Sequence, residues 1–200
     1  MDSRIVAELI LHLGRIASGD GLVAGLTPGQ WAVLRYVARA NRFSRTPSAF
    51  AAFHGTTRGT ASQTIKGLVA RGLLRQTRSE TDGRSVVLDL TKKARRILAD
   101  DPLEALVRAA DALPPGLRGK FAIVLQRMLG RVAAEAGRPF FGTCETCAHF
   151  RGDGCCQQGL PAYACGFLNV PLTEDELDDL CINFAFDGPE TPRRPDMGTA

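Results

Sequence analysis

Apolar side chains recur at helical spacing through most of the first 140 residues and alternate like a strand over one short stretch. In residues 3–19, Ile5, Leu9, Leu13 and Ile16 share one helical face. A helix over 28–40 follows, with Thr27 as N-cap, Pro28 at the first helical position, and Trp31, Leu34, Val37 and Ala38 as its apolar stripe. Trp31 reads as a core residue. A short helix after Thr46-Pro47 turns Phe50 and Phe53 inward and stops near Gly55. The next helix starts from Thr56 or Thr57, buries Ala61, Ile65, Leu68 and Val69, and ends at Arg71-Gly72. Residues 73–77 and 85–90 read as two strands around a polar turn at 79–84, in which Asp82-Gly83 is a strong hairpin signal. Thr91 caps a helix over 92–111 that Pro102 should kink or break, with Asp100 or Asp101 capping a new start. After Pro114-Pro115, a helix over 116–136 places Phe121, Val124, Leu125, Met128, Leu129 and Val132 on one face.

Charge divides this pattern. Residues 1–140 carry a net +11 and residues 141–200 a net −7, which together make the +4 of the chain. Within the first part, the stretch from Arg35 to Arg96 holds fourteen Lys or Arg against Glu80, Asp82 and Asp89. A cationic surplus on two helices followed by a hairpin implies a winged helix-turn-helix that meets a polyanion, double-stranded DNA. The candidate major-groove residues are Arg58, Thr60, Gln63, Thr64 and Lys66, because Arg can pair with guanine, Gln with adenine, and Thr with a phosphate or a thymine methyl. Arg78 and Arg84 stand where the hairpin tip can reach the backbone or the minor groove.

An apolar content of 44% excludes a disordered chain. No apolar run approaches the roughly 18 residues that span a bilayer, so no membrane contact is expected. The N-terminal segment carries Arg and acids within its apolar stretch and reads as an amphipathic helix rather than a signal peptide, which implies a cytoplasmic protein. His12, His54 and His149 are scattered and no Gly-rich phosphate loop occurs, so catalysis is not expected.

Three stretches carry a family likeness: LTPGQWAVLRYV (26–37), TTRGTASQTIKGLVARGLLRQ (56–76) and ETDGRSVVLDLTKKARRIL (80–98). With these the chain resembles the MarR family of transcriptional regulators (multiple antibiotic resistance type) over about residues 3–136, most specifically over 57–98. The resemblance implies a homodimer with intertwined first and last helices, two recognition helices on a pseudo-palindromic operator, and Arg84 as the wing residue that enters the minor groove. It also implies a repressor that a small-molecule ligand or an oxidant releases.

All six cysteines lie beyond the resemblance, spaced Cys144-x2-Cys147-x7-Cys155-Cys156-x8-Cys165-x15-Cys181. A Cys-x-x-Cys knuckle lets two thiolates reach one metal, and further cysteines close a four-sulfur site. The favoured ligands are Cys144, Cys147, Cys165 and Cys181, with Cys155 or Cys156 as a replacement or a free thiol. His149 is a candidate nitrogen ligand but reads better as a surface or packing residue. Zinc is the favoured occupant and an iron–sulfur cluster the alternative, for which Phe140, Phe141, Phe150, Phe167, Phe184 and Phe186 would form an apolar shell, though the same Phe read equally as the module's own small core. Reduced thiols or a redox-switched disulfide remain a third reading. The acidic run at 174–179 reads as a solvated helix face, and Cys181 as the end of that helix.

The fold class expected is therefore mainly α with a small β-hairpin wing. A winged helix-turn-helix with a helical dimerisation region fills 1–139, a small Cys-rich metal module 140–187, and a disordered tail 188–200. The function expected is sequence-specific regulation of transcription, with a module that is structural or senses redox state or metal. The rival readings are a redox or electron-transfer protein built on the cysteines, and a protein-interaction adaptor.

Overall fold

The computed structural model describes residues 2–18, 24–78, 85–152 and 162–185. In chain order these form α1 (Ser3–Ser18), α2 (Pro28–Arg39), α3 (Pro47–His54), α4 (Arg58–Ala70), β1 (Leu74–Arg78), β2 (Val86–Leu90), α5 (Lys92–Leu98), α6 (Glu104–Asp111), α7 (Pro115–Glu135), β3 (Phe150–Arg151), β4 (Tyr163–Cys165) and β5 (Val170–Leu172). No helix among these residues is long and apolar enough to cross a membrane.

Helix α2 begins with a capping box. The Thr27 hydroxyl accepts the Gln30 N–H at 3.3 Å, and the Gln30 side chain accepts the Thr27 N–H at 3.1 Å. From there Trp31, Val33, Leu34, Tyr36 and Val37 are all buried, so α2 is enclosed on most of its sides. Phe50 of α3, Ile65 and Leu68 of α4, Leu74 of β1, Leu88 of β2 and Ala94 of α5 join it in one core. Gly55, with φ +64°, ends α3 in the left-handed region. The Thr57 hydroxyl then accepts the Thr60 N–H at 3.1 Å and starts α4. Strands β1 and β2 pair antiparallel, from Leu74 opposite Leu90 to Arg78 opposite Val86, and make the wing. The expected turn at 79–84 lies outside the described residues.

Two expectations change in detail. Phe53 is 42% exposed rather than inward. It sits near the end of a two-turn helix, where one ring face meets Tyr36 and Phe141, each 5.0 Å away between centroids, and the other stays open. The acidic helix expected at 174–180 is only a 3-10 turn, Glu174–Glu176. The chain leaves the helix there because the Leu177 carbonyl accepts Cys144 N–H at 2.9 Å and Leu180 pairs with Ala40.

The break at Pro102 is present, with α5 ending at Leu98 and α6 starting at Glu104. Asp101 receives the chain there, as its carboxylate accepts the Leu103 N–H at 2.8 Å. That carboxylate is buried and also accepts the Arg35 Nε at 2.8 Å, while Arg35 Nη2 reaches the Ala17 carbonyl at 3.0 Å. Arg35 thus ties α1, α2 and the α5–α6 corner together, and its guanidinium lies 5.6 Å from the Trp31 ring centroid. Truncation of one member of a buried, hydrogen-bonded ion pair leaves the other charge without its partner. Arg35→Ala should therefore lower unfolding stability by about 3 kcal/mol, read from the midpoint of a urea melt. A midpoint equal to wild type would show that Asp101 finds enough solvent without Arg35.

Candidate nucleic-acid interface and thiol cluster

The sequence-selected residues of α4 fall on its outer face. Arg58, Thr60, Gln63 and Lys66 are exposed and Thr64 is half-buried. The opposite face buries Ala61, Ile65 and Leu68 against the core, which fixes the helix's rotation. The two threonines are less free than their exposure suggests. The Thr60 hydroxyl lies 2.9 Å from the Thr57 hydroxyl, and the Thr64 hydroxyl donates to the Thr60 carbonyl at 3.1 Å. Arg58, Gln63 and Lys66 are therefore the side chains best placed to reach a ligand. Arg78 is exposed at the end of β1, together with Arg75 earlier on the strand. Arg84 lies outside the described residues.

Part of the cationic surplus is engaged by other groups of the chain. Arg35 is paired with Asp101, and Arg71 donates to the Gly25 carbonyl at 2.8 Å. Arg39 donates to the Asp178 carbonyl at 3.1 Å. Arg42 donates to the Glu176 carboxylate at 2.7 Å and to the Pro171 carbonyl at 2.8 Å. The acidic run is thus partly a docking surface for the basic body and not simply a solvated face.

The cysteine segment packs against the end of α2. Its three short strands pair antiparallel in the order β3-β4-β5. Cys144 opens a 3-10 turn, and the Cys147 N–H donates to the Cys144 carbonyl at 3.1 Å, closing the knuckle. Cys165 ends β4 opposite Phe150 and Val170. The Cys181 N–H donates to the Gly142 carbonyl at 2.9 Å, and its sulfur accepts the Asn183 N–H at 3.3 Å. These four elements bring Cys144, Cys147, Cys165 and Cys181 to the wall of one cavity of about 20 Å³, the same four that spacing favours. Cys155 and Cys156 lie outside the described residues.

The four sulfurs act on one another. Burial, then the neighbouring Cys181, Cys147 and Cys165, then Glu176, push the Cys144 thiol up to about 12. Burial also raises Cys181, against hydrogen bonds from Asn41 and Asn183 that lower it. Among the described residues the four cysteines are free thiols, and no group of three or more His, Cys, Asp or Glu is already drawn in tightly enough to hold one metal ion. The donor types are nonetheless those that a thiophilic group takes. Four sulfurs line one cavity, an amide N–H already points at Cys181, and the buried Asn41 Oδ1 has no hydrogen-bond partner.

The aromatic shell departs from expectation. Of the six Phe named from sequence, only Phe150 is among the residues lining the cavity, with Phe43, Leu168 and Leu172 completing its apolar wall. Phe141 packs instead on Tyr36 and Phe53 of the helical body, Phe140 and Phe184 stack on each other at 5.4 Å, and Phe167 is exposed. Phe186 lies outside the described residues. His149 lines the cavity and lies 5.1 Å from the Phe167 ring, between the ligand and packing roles considered for it. Sequence reasoning missed Asn41 and Phe43, which come from the far side of the chain and carry no local signal.

A family model described as "MarR family" matches residues 24–85. None of the curated proteins compared matches the chain. Among solved structures, a MarR transcriptional regulator from Methanosarcina mazei Go1 is 22% identical, with a TM-score of 0.50, covering 63% of this chain and 94% of its own. CouR from Rhodococcus jostii RHA1, bound to p-coumaroyl-CoA, is 21% identical with a TM-score of 0.50 and covers 62% of this chain and 90% of its own. A MarR protein from Peptoclostridium difficile is 17% identical with a TM-score of 0.53 and covers 68% and 91%. At these identities the likeness is one of fold. The sequence match thus spans α2 to β1, and the helices and hairpin from α2 to β2 have the fold of a winged helix, similar to that of these regulators.

Proposed function

We propose that this protein is a DNA-binding regulator of transcription, acting as a homodimeric repressor, with a thiolate-held metal centre beside its winged helix. The observation that carries the DNA reading is the outer face of α4. Arg58, Gln63 and Lys66 project there from a helix whose other face is locked in the core, next to a basic strand. Arg58 and Gln63 suit base edges, Lys66 and Arg78 suit phosphates, and Arg84 suits the minor groove of each half of a pseudo-palindromic operator.

Support for a homodimer comes from α1 and α7. Ile5, Leu9 and Ile16 on the first, and Phe121, Val124, Leu129 and Val132 on the second, are exposed, with Val132 at 63%. Two helices that leave this much apolar surface open suit a second copy of the same pair. A small-molecule effector also belongs to this reading, by analogy with the acyl-CoA-bound Rhodococcus protein.

For the centre, Cys144, Cys147, Cys165 and Cys181 would be the ligands, with zinc or an iron–sulfur cluster as occupant. Either would supply the positive charge that lets four crowded thiols ionise together. The protein's own part is to present the sulfurs and shield them behind Phe43, Phe150, Leu168 and Leu172, while the Asn183 amide holds the Cys181 sulfur in place.

Three outcomes are expected. On a duplex selected by the protein from a random library, Lys66→Ala should lower the slope of log affinity against log salt by about 1, and Arg84→Ala should weaken binding by about 1–3 kcal/mol with the fold intact by circular dichroism. Unchanged binding in both variants would remove Lys66 and Arg84 from the interface, and a wild type that enriches no duplex would remove the DNA reading. Sedimentation of the wild type should give a dimer, and Leu129→Glu with Val132→Glu should give a monomer. A monomeric wild type would refute the assembly. Elemental analysis of protein purified without oxygen should find about one zinc per chain, colourless, or iron with sulfide and broad visible absorption. Neither metal in the preparation would refute the centre.

A further inference from the structure

We infer that the thiol centre controls the DNA-reading surface through the corner at residues 40–46, so that filling or emptying the centre changes DNA affinity. This rests on the metal centre proposed above and names how that centre would regulate.

The corner does four things at once. It ends α2, where the Ala40 N–H donates to the Tyr36 carbonyl at 2.8 Å. It starts α3, as the Thr46 hydroxyl accepts the Ala49 N–H at 3.1 Å. It holds the wing, because the Arg45 carbonyl accepts the Leu88 N–H of β2 at 2.7 Å. It also carries Asn41 and Phe43 into the cavity wall.

The cysteine segment grips this corner on both sides of one ligand. On one side of Cys181, the Leu180 N–H donates to the Arg39 carbonyl at 2.6 Å, and the Leu180 carbonyl accepts the Asn41 N–H at 2.9 Å. On the other side, the Ile182 N–H donates to the fully buried Ser44 hydroxyl at 2.9 Å. The Ser44 carbonyl in turn accepts the Tyr36 hydroxyl at 2.7 Å. A shift of Cys181 toward a bound metal must therefore be taken up by residues 180 and 182, and so by Asn41 and Ser44. Because α3 packs on α4 and β2 pairs with β1, a corner that moves or stiffens re-aims both DNA-contacting elements together.

The test uses full-length protein purified without oxygen, with zinc, iron and sulfide counted in every sample. Half of it is stripped of metal with a chelator. Affinity for the library-selected duplex is measured in both forms, as is amide hydrogen exchange. We expect about a fivefold or larger change in affinity on stripping, with faster exchange at residues 40–54 as well as in the cysteine segment. Ser44→Ala, which removes the hydroxyl that accepts Ile182, should keep its metal but shrink the affinity ratio between the two forms. Metal present with an affinity ratio near one, or faster exchange confined to 162–185, would overturn the coupling and leave the centre standing. A full wild-type ratio in Ser44→Ala would overturn this route. Absence of zinc and iron throughout would overturn the centre and the coupling together.

Discussion

The architecture depends on burying α2. Trp31, Val33, Leu34, Tyr36 and Val37 point in several directions round that helix, and each needs a covering element. Helices α3, α4 and α5 and strand β2 supply the cover, so their positions follow from one requirement. The rotation of α4 is a consequence. Once Ala61, Ile65 and Leu68 turn to α2, Arg58, Gln63 and Lys66 have only the outside left. The exposed polar face of α4 is thus the remainder of a packing solution, fixed in orientation because the opposite face is buried.

Charge is distributed by the same logic. A net count of the stretch from Arg35 to Arg96 treats all fourteen cations alike, but the fold separates them. Arg35 closes a buried pair, Arg39 and Arg42 hold the acidic segment, and Arg71 holds the loop before α2. The cations on α4 and β1, Arg58, Lys66, Arg75 and Arg78, are all exposed.

The thiol cluster balances two opposing tendencies. Burial and mutual repulsion keep Cys144 and Cys181 protonated, while the Asn41 and Asn183 donors aimed at Cys181 favour the thiolate there. Any group that takes Cys144 and Cys181 as thiolates must displace those protons, so its binding would strengthen as pH rises. Asn41 follows the C-cap of α2, so the thiol cavity adjoins the helical body directly.

Sequence by itself determined what local chemistry controls. The caps at Thr27 and Thr91, a cap at Thr56 or Thr57 (Thr57 in the fold), the stop at Gly55, the left-handed Gly72, the break at Pro102 and the two strands are each set within a few residues, and each is present. Cys144, Cys147, Cys165 and Cys181, favoured as ligands from knuckle spacing and ordered flanks, line one cavity, and Cys155 and Cys156 lie outside the described residues. Tertiary structure decided the rest. The loss of the acidic helix after Glu176, the dispersal of the phenylalanines, and the presence of Asn41 and Phe43 in the thiol cavity all arise from contacts between segments distant in the chain, such as the Arg39 to Asp178 bond. Contacts at that distance leave no periodicity in the chain, since the energy of each depends on a neighbour that only folding brings near.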